Sequence, residues 1–397
     1  MRSRLFVGIS VAAASVASLA ALTVSAPPAV ALSSITVDSA ADGPAVATNC
    51  LPTPVPGACT LRDAFAAASS GGAGAGDDVT ITVDPSVAAV SLTQGELEYD
   101  GGTGGAHTLT VAGSGTSITQ TTGDRIMHSS GSGAFTVSGF TLTGGAPDGA
   151  GGAIQGAGDV TVVDSALVGN EASDGGAIDV QGVVTIIRST LANNQAESFG
   201  GAIESEQNLA AFITNSTISD NTAGSLGGAV AGTTDVTLVY STIVGNTAPT
   251  GANFKPNGGV LTSFGSVIAL PQNGENCTGF SSTTSHGFNL EDDTDATCGF
   301  STGTGDLAPG TAAGLAALAD NGGPGATRLP LAGSALIDAI PVASCQADGA
   351  AGITTDERGV TRPQGSGCDT GAVEVAVVGP TPPPVAPAIA AQPTFTG

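Results

Sequence analysis

Asp179 and Glu204 are the residues on which any chemistry of this chain would turn. Each follows an isoleucine, Ile178 or Ile203, and the two acids lie 25 positions apart. If one turn of a stacked structure takes about that many residues, the two carboxyls face the same way roughly 5 Å apart, the distance between neighbouring strands. Two carboxyls so placed share a cation or raise each other's pKa. With Ca²⁺ between them and an arginine as base, the pair would suit a lyase that abstracts a proton beside a uronate carboxylate. Arg188 is the one basic residue of the neighbouring repeats. The equivalent positions on either side are Gln155 and Ala231, so the acids form a short run, and a solvated acidic face is the competing reading.

What would position these residues is a repeat. Gly-Gly-Ala opens a unit at Gly151, Gly175, Gly200 and Gly227, at intervals of 24, 25 and 27 residues. The closing asparagines Asn170, Asn194, Asn221 and Asn246 follow at 24, 27 and 25. Such a period is the mark of a solenoid. Before the reference serines Ser165, Ser189, Ser216 and Ser241 stand the alternating pairs Val160/Val162, Val184/Ile186, Ala211/Ile213 and Val236/Leu238, as a strand with one buried side requires. Leu167, Leu191, Ile218 and Ile243 follow out of phase, so the chain bends at Asp164, Arg188, Asn215 and Tyr240. This last column has no common chemistry and reads as a solvated corner. The asparagines should bond to one another in a ladder along the stack. Paired glycines and β-branched strands oppose a helix. The expected fold is all-β, a right-handed parallel β-helix of three strands and three turns per coil, closed by a short N-terminal helix and a disulfide-rich C-terminal cap.

Residues 1–31 read as an export signal: Arg2 and Arg4, an apolar run from Leu5 to Leu22, and the small-x-small site Ala29-Val30-Ala31. No second apolar run long enough to span a membrane follows. Residues 32–76 form an N-terminal cap, in which Thr60 starts a helix with Leu61, Ala64 and Phe65 on one face. The β-helix occupies 77–271, regular over 151–246; the cap spans 272–378, and the tail 379–397 is rich in Pro and Ala. Six cysteines in an exported chain favour disulfides, and proximity pairs them as Cys50/Cys59, Cys277/Cys298 and Cys345/Cys368. There is no Cys-x-x-Cys, and His107, His128 and His286 are scattered, which argues against zinc.

With 34 acidic against 9 basic residues and a net charge of −25, nucleic acid and anionic membranes are poor partners, whereas Ca²⁺ or a basic surface would suit. Aromatics make up 4% of the chain with no Trp, so stacking platforms for sugars are scarce. Thr161, Thr185 and Thr237 recur on one face, interrupted by Phe212, and would suit a binder of repetitive surfaces.

Several stretches resemble one family of bacterial surface proteins. Cys59-Thr60-Leu61-Arg62-Asp63-Ala64 is similar to the CSLREA motif, with Thr60 for Ser and Asp63 for Glu. Asp320-Asn321-Gly322-Gly323-Pro324, Gly333-Ser334-Ala335-Leu336-Ile337-Asp338-Ala339, Asp356-Glu357-Arg358-Gly359, Arg362-Pro363-Gln364-Gly365 and Cys368-Asp369-Thr370-Gly371-Ala372-Val373-Glu374 together resemble the choice-of-anchor Q domain. The Gly-Gly-Ala-Ile repeats resemble those of polymorphic outer-membrane proteins. The likeness implies a secreted or surface-displayed, pectin-lyase-like β-helix with a variable C-terminal anchor and no established catalysis. Its partners would be an envelope or extracellular polysaccharide, or a host or neighbouring cell surface, met by a monomer. Pro393-Thr394-Phe395-Thr396-Gly397 resembles a sortase signal, without the apolar span and basic residues that follow one.

Polygalacturonases, which share the expected fold, carry Asn-Thr-Asp, Asp-Asp, His-Gly and Arg-x-Lys in that order. Here His286-Gly287 precedes Asp292-Asp293 and the other two are missing, so these read as loop residues. Asp356, Glu357, Arg358 and Arg362 read as polar links holding the cap on the last coil. The expected function is a non-catalytic adhesin or envelope scaffold; the alternatives are a polysaccharide lyase or hydrolase and a repetitive-surface binder.

Overall fold

A computed structural model describes residues 33–50, 56–69, 78–101, 107–206, 209–233, 235–300, 303–347 and 350–375. The expected signal (1–31) and Pro/Ala-rich tail (379–397) lie outside them. The chain is a parallel β-solenoid whose strands stack in register into a 17-stranded, a 7-stranded and a 3-stranded sheet. A regular coil contributes strands such as Ile154–Gly156, Val160–Val163, Ala166–Val168 and Glu171–Ala172. The second and third of these belong to one large sheet that is bent between them. The predicted inward columns are all sealed: Val160, Val162, Leu167, Val184, Ile186, Leu191, Ile213, Ile218, Leu238 and Ile243 have no accessible surface.

The two glycines of each pair serve different ends. The first, at Gly151, Gly175, Gly200 and Gly227, has φ of 70°, 58°, 62° and 64°, in the left-handed region that side chains resist. The second lies against the next coil, where a Cβ on Gly152, Gly176 or Gly201 would overlap the carbonyl oxygen of Gly176, Gly201 or Gly228.

The bend column is the solvated corner that its mixed chemistry suggests only at Asp164 and Arg188, which form a half-exposed pair. Asp164, Arg188, Asn215 and Tyr240 share a conformation, with φ of 48°, 45°, 46° and 50°, and Asn215 and Tyr240 are buried under the C-terminal segment. The asparagine ladder forms and runs further than the repeat. Asn170 donates to Asn194 (3.0 Å), Asn194 to Asn221 (2.9 Å) and Asn221 to Asn246 (2.9 Å), each from Nδ2 to Oδ1. Asn246 then donates to Asn253, Asn253 to Asn276, and Asn276 to Asp292. A serine ladder runs beside it: the Ser165 amide bonds to Ser189 Oγ, and the Ser189 amide to Ser216 Oγ. These amides and hydroxyls are buried, so each bond replaces the water the group has lost.

At the N-terminal end the helix Leu61–Ser69 buries Leu61, Ala64 and Phe65. Thr60 and Asp63 exchange bonds as a capping box: the Asp63 amide donates to Thr60 Oγ1 at 3.1 Å and the Thr60 amide to Asp63 Oδ2 at 3.3 Å. At the other end the solenoid outlasts the sequence period. Ser282–Ser285 and Leu290–Glu291 pair in parallel with Val260–Phe264 and Val267–Ala269, so stacking passes residue 271.

The segment from about residue 313 to 375 then runs back along the side of the solenoid. It covers the outward column Ala166, Thr190, Thr217, Thr242 and Val267, none of which is more than 4% exposed. Glu357 shares hydrogen bonds with Thr190 Oγ1 (2.8 Å) and Thr217 Oγ1 (2.6 Å), and the Ala372 amide donates to Thr242 Oγ1 at 3.0 Å. Arg328 grips Ser219 and Asp220. Arg362 pairs with Glu374 at 3.0 Å and lies 4.2 Å over the Tyr240 ring, while Arg358 pairs with Asp356. The polar cluster expected to hold a cap on the last coil instead fastens a strap across the middle ones. Period alone could not reveal this, because the strap has none. Disulfides join Cys50–Cys59, Cys277–Cys298 and Cys345–Cys368.

Candidate functional site

The seven-stranded sheet carries Asp179 and Glu204. Register places Asp179 beside Gln155 on one side and Glu204 on the other, and Glu204 beside Ala231. The alternation that points Ile178 and Ile203 into the core turns both carboxyls outward. The column extends beyond the regular repeats in both directions, as Glu98, His128, Gln155, Asp179, Glu204, Ala231 and Lys255. Sequence reasoning missed Glu98, His128 and Lys255, since their coils lack the Gly-Gly-Ala marker. The available signal was the apolar-polar-small triplet Met127-His128-Ser129, which matches Ile203-Glu204-Ser205.

Asp179 has no accessible surface, and Glu204 is partly covered. Gln155 Nε2 donates to Asp179 Oδ2 at 3.0 Å. Asp179 Oδ1 and Glu204 Oε2 are buried without a hydrogen-bond partner. Glu204 Oε1 lies against Gly232, where a Cβ would come within 2.5 Å of it, so this glycine makes room for the carboxyl. Burial pushes the Asp179 carboxyl up to about 6, aided by Glu206 and Asp174 and opposed by the Gln155 bond and Arg125. Burial pushes Glu204 further, to about 8, with Asp179, Asp174 and Glu206 adding to it. The pair therefore holds a proton near neutral pH.

Arg188 is not brought to them. It stands at the bend of the large sheet, bonded to Asp164 of the preceding coil through Nε and Nη2, each at 2.7 Å. The base that acts on Asp179 is Arg125, which is itself spent on Glu96 at 2.5 Å and on the carbonyls of Ala150 and Gly151. His128 Nδ1 is 3.6 Å from Glu96 Oε1, and His128 with Arg125 holds the Glu96 carboxyl below its usual range.

The other sequence candidates are structural. Asp292 accepts the Leu270 amide and the end of the asparagine ladder, and Asp293 accepts the Asn276 amide and Thr297 Oγ1. His286 lines a shallow, mainly apolar groove with Thr237 and Thr262. Among the described residues no group of three or more His, Cys, Asp or Glu side chains is placed to hold a metal ion. None of their helices is long and apolar enough to cross a membrane.

Fold and site together define a parallel β-helix with a stacked carboxyl pair, of which Asp179 is enclosed, and a lateral strap. No protein-family model, curated protein or solved structure matches the chain.

Proposed function

We propose that the chain is a non-catalytic β-helix protein of the cell exterior, an envelope scaffold or adhesin of the kind its CSLREA-like and choice-of-anchor-like stretches imply. The observation that carries the reading is the enclosure of Asp179. Among the described residues of the regular repeats, the only acid pair that stacks on neighbouring coils has one member with no accessible surface and no free base beside it, so a polysaccharide would find nothing there to react with. Three disulfides suit an oxidising compartment. The test has two parts. Cell fractionation should find the protein on the envelope or in the medium. Purified protein given polyuronates with Ca²⁺ should release no unsaturated product absorbing in the ultraviolet; release that disappears in Asp179→Ala or Glu204→Ala would replace this reading with a lyase.

A second reading, a binder of repetitive surfaces, is favoured by one specific feature. The threonine column is longer than the repeats suggest, stacking Thr80, Thr110, Thr136, Thr161, Thr185, Phe212, Thr237, Thr262 and Thr284 in register. It offers an uncharged face with a spacing of roughly 4.8 Å. Binding to an ordered polysaccharide that is lost on Thr161→Lys or Thr185→Lys would favour it.

A further inference from the structure

We infer that Asp179 and Glu204 form a binding site for a hard divalent cation of the calcium type. Two features besides their acidity carry this. Asp179 is wholly enclosed, yet its Oδ1 has no partner, and Glu204 Oε2 on the next coil is also buried and unpartnered. Buried carboxylate oxygens are almost always satisfied, and an orphan pair asks what completes it. Hydrogen-bond donors are short on this face. Gln155 serves only Asp179 Oδ2, and Arg125 is committed to Glu96 and two carbonyls.

The surrounding field points the same way. Asp174 and Glu206 add negative charge around the pair, and the chain as a whole carries −25. Carboxylates one strand spacing apart can each place an oxygen about 2.3–2.6 Å from a point between them, the contact distance of Ca²⁺. Oxygen-only donors exclude the softer metals that favour thiolate or imidazole. Calcium also tolerates irregular coordination completed by carbonyls and water, whereas Mg²⁺ demands a near-ideal octahedron. Gly232 keeps space beside the Glu204 carboxyl that any side chain would fill.

The ion would bind the pair in its ionised form and link two neighbouring coils. The inference goes beyond the scaffold reading and survives its failure, since a cation can brace the coils of an enzyme equally well.

The test uses the full exported chain, stripped with chelator, and calorimetric melting, because the chain has no Trp to report by fluorescence. At pH 8.5, millimolar Ca²⁺ should raise Tm by several degrees, and Mg²⁺ at the same concentration by clearly less. Titration calorimetry at pH 8.5 should give a site of one Ca²⁺ per chain. Asp179→Asn and Glu204→Gln, which imitate the neutral pair and so keep the fold, should each abolish that site and its shift, while Asp148→Asn, outside the pair, should leave both unchanged. Absence of any Ca²⁺ shift in the parent chain at pH 8.5 would overturn the inference. So would a shift of equal size in Asp179→Asn, which would assign the binding to the general acidic surface.

Discussion

Glu357 should make the strap sensitive to alkali, and Glu357→Gln should remove much of that sensitivity. Thr190 Oγ1 lies 2.8 Å from Glu357 Oε1 and 2.9 Å from the Ala326 carbonyl oxygen. A hydroxyl has one proton to donate, so it serves Ala326 only if Glu357 donates to it, which requires a protonated carboxyl. Thr217 Oγ1 then donates to the other carboxyl oxygen at 2.6 Å. Burial agrees, pushing the group from 4.5 up to about 8 against the pull of the two threonines. Since the folded value is raised, the native chain keeps a proton that the unfolded chain releases above pH 4.5. The stabilisation is complete below that pH, declines as pH rises, and is gone above about 8. At about 1.36 kcal/mol per pKa unit, the gap sets a ceiling of about 5 kcal/mol for this one side chain.

Gln at 357 offers an NH₂ donor group and a carbonyl acceptor in nearly the same shape and does not titrate. Calorimetric melting between pH 5 and 8.5 should show Glu357→Gln within about 1 kcal/mol of the parent at pH 5 and more stable at pH 8.5. Part of the slope should remain, because Asp179 and Glu204 are raised in the same direction. Glu357→Ala should lose about 2–5 kcal/mol at pH 5, since it leaves the buried Thr217 hydroxyl without its acceptor and opens a void. A Glu357→Gln chain with the full parental pH slope, or one less stable than the parent at pH 8.5, would refute the protonated carboxyl.

Three further outcomes follow from the packing. Asn221→Ala cuts the amide ladder in its middle, stranding the Asn194 backbone amide and the Leu191 carbonyl, and should cost about 2–5 kcal/mol in denaturant unfolding. Arg362→Ala leaves Glu374 buried without its partner and should cost about 3–5 kcal/mol, whereas Arg188→Ala removes an exposed pair and should cost less than about 1 kcal/mol. Gly176→Ala drives a Cβ into backbone of the next coil that no rotamer change can relieve, so little folded protein should be recovered by size exclusion.

Most of the coil was legible in the linear order of residues. A stacked coil repeats its environment at each turn, so inward columns must repeat their chemistry, and the columns built on Val160, Leu167 and Asn170 do so. The bend column was misread in part, for a related reason. What Asp164, Arg188, Asn215 and Tyr240 share is a positive φ, a backbone property that leaves the side chain free to vary. The outward acid pair was also legible, because alternation along a strand dictates which way Asp179 and Glu204 point.

Burial of that pair was decided elsewhere. Whether an outward carboxyl meets water depends on how the neighbouring turns lie over it, and no spacing encodes that. The same holds for the strap. Thr190 and Glu357 are 167 residues apart, and their contact exists only because the segment after the solenoid runs back along the stack. By itself the sequence determined a periodic scaffold and the direction of each side chain on it. The tertiary structure decided which outward faces stay open, because closing a face takes contacts between residues that share no period.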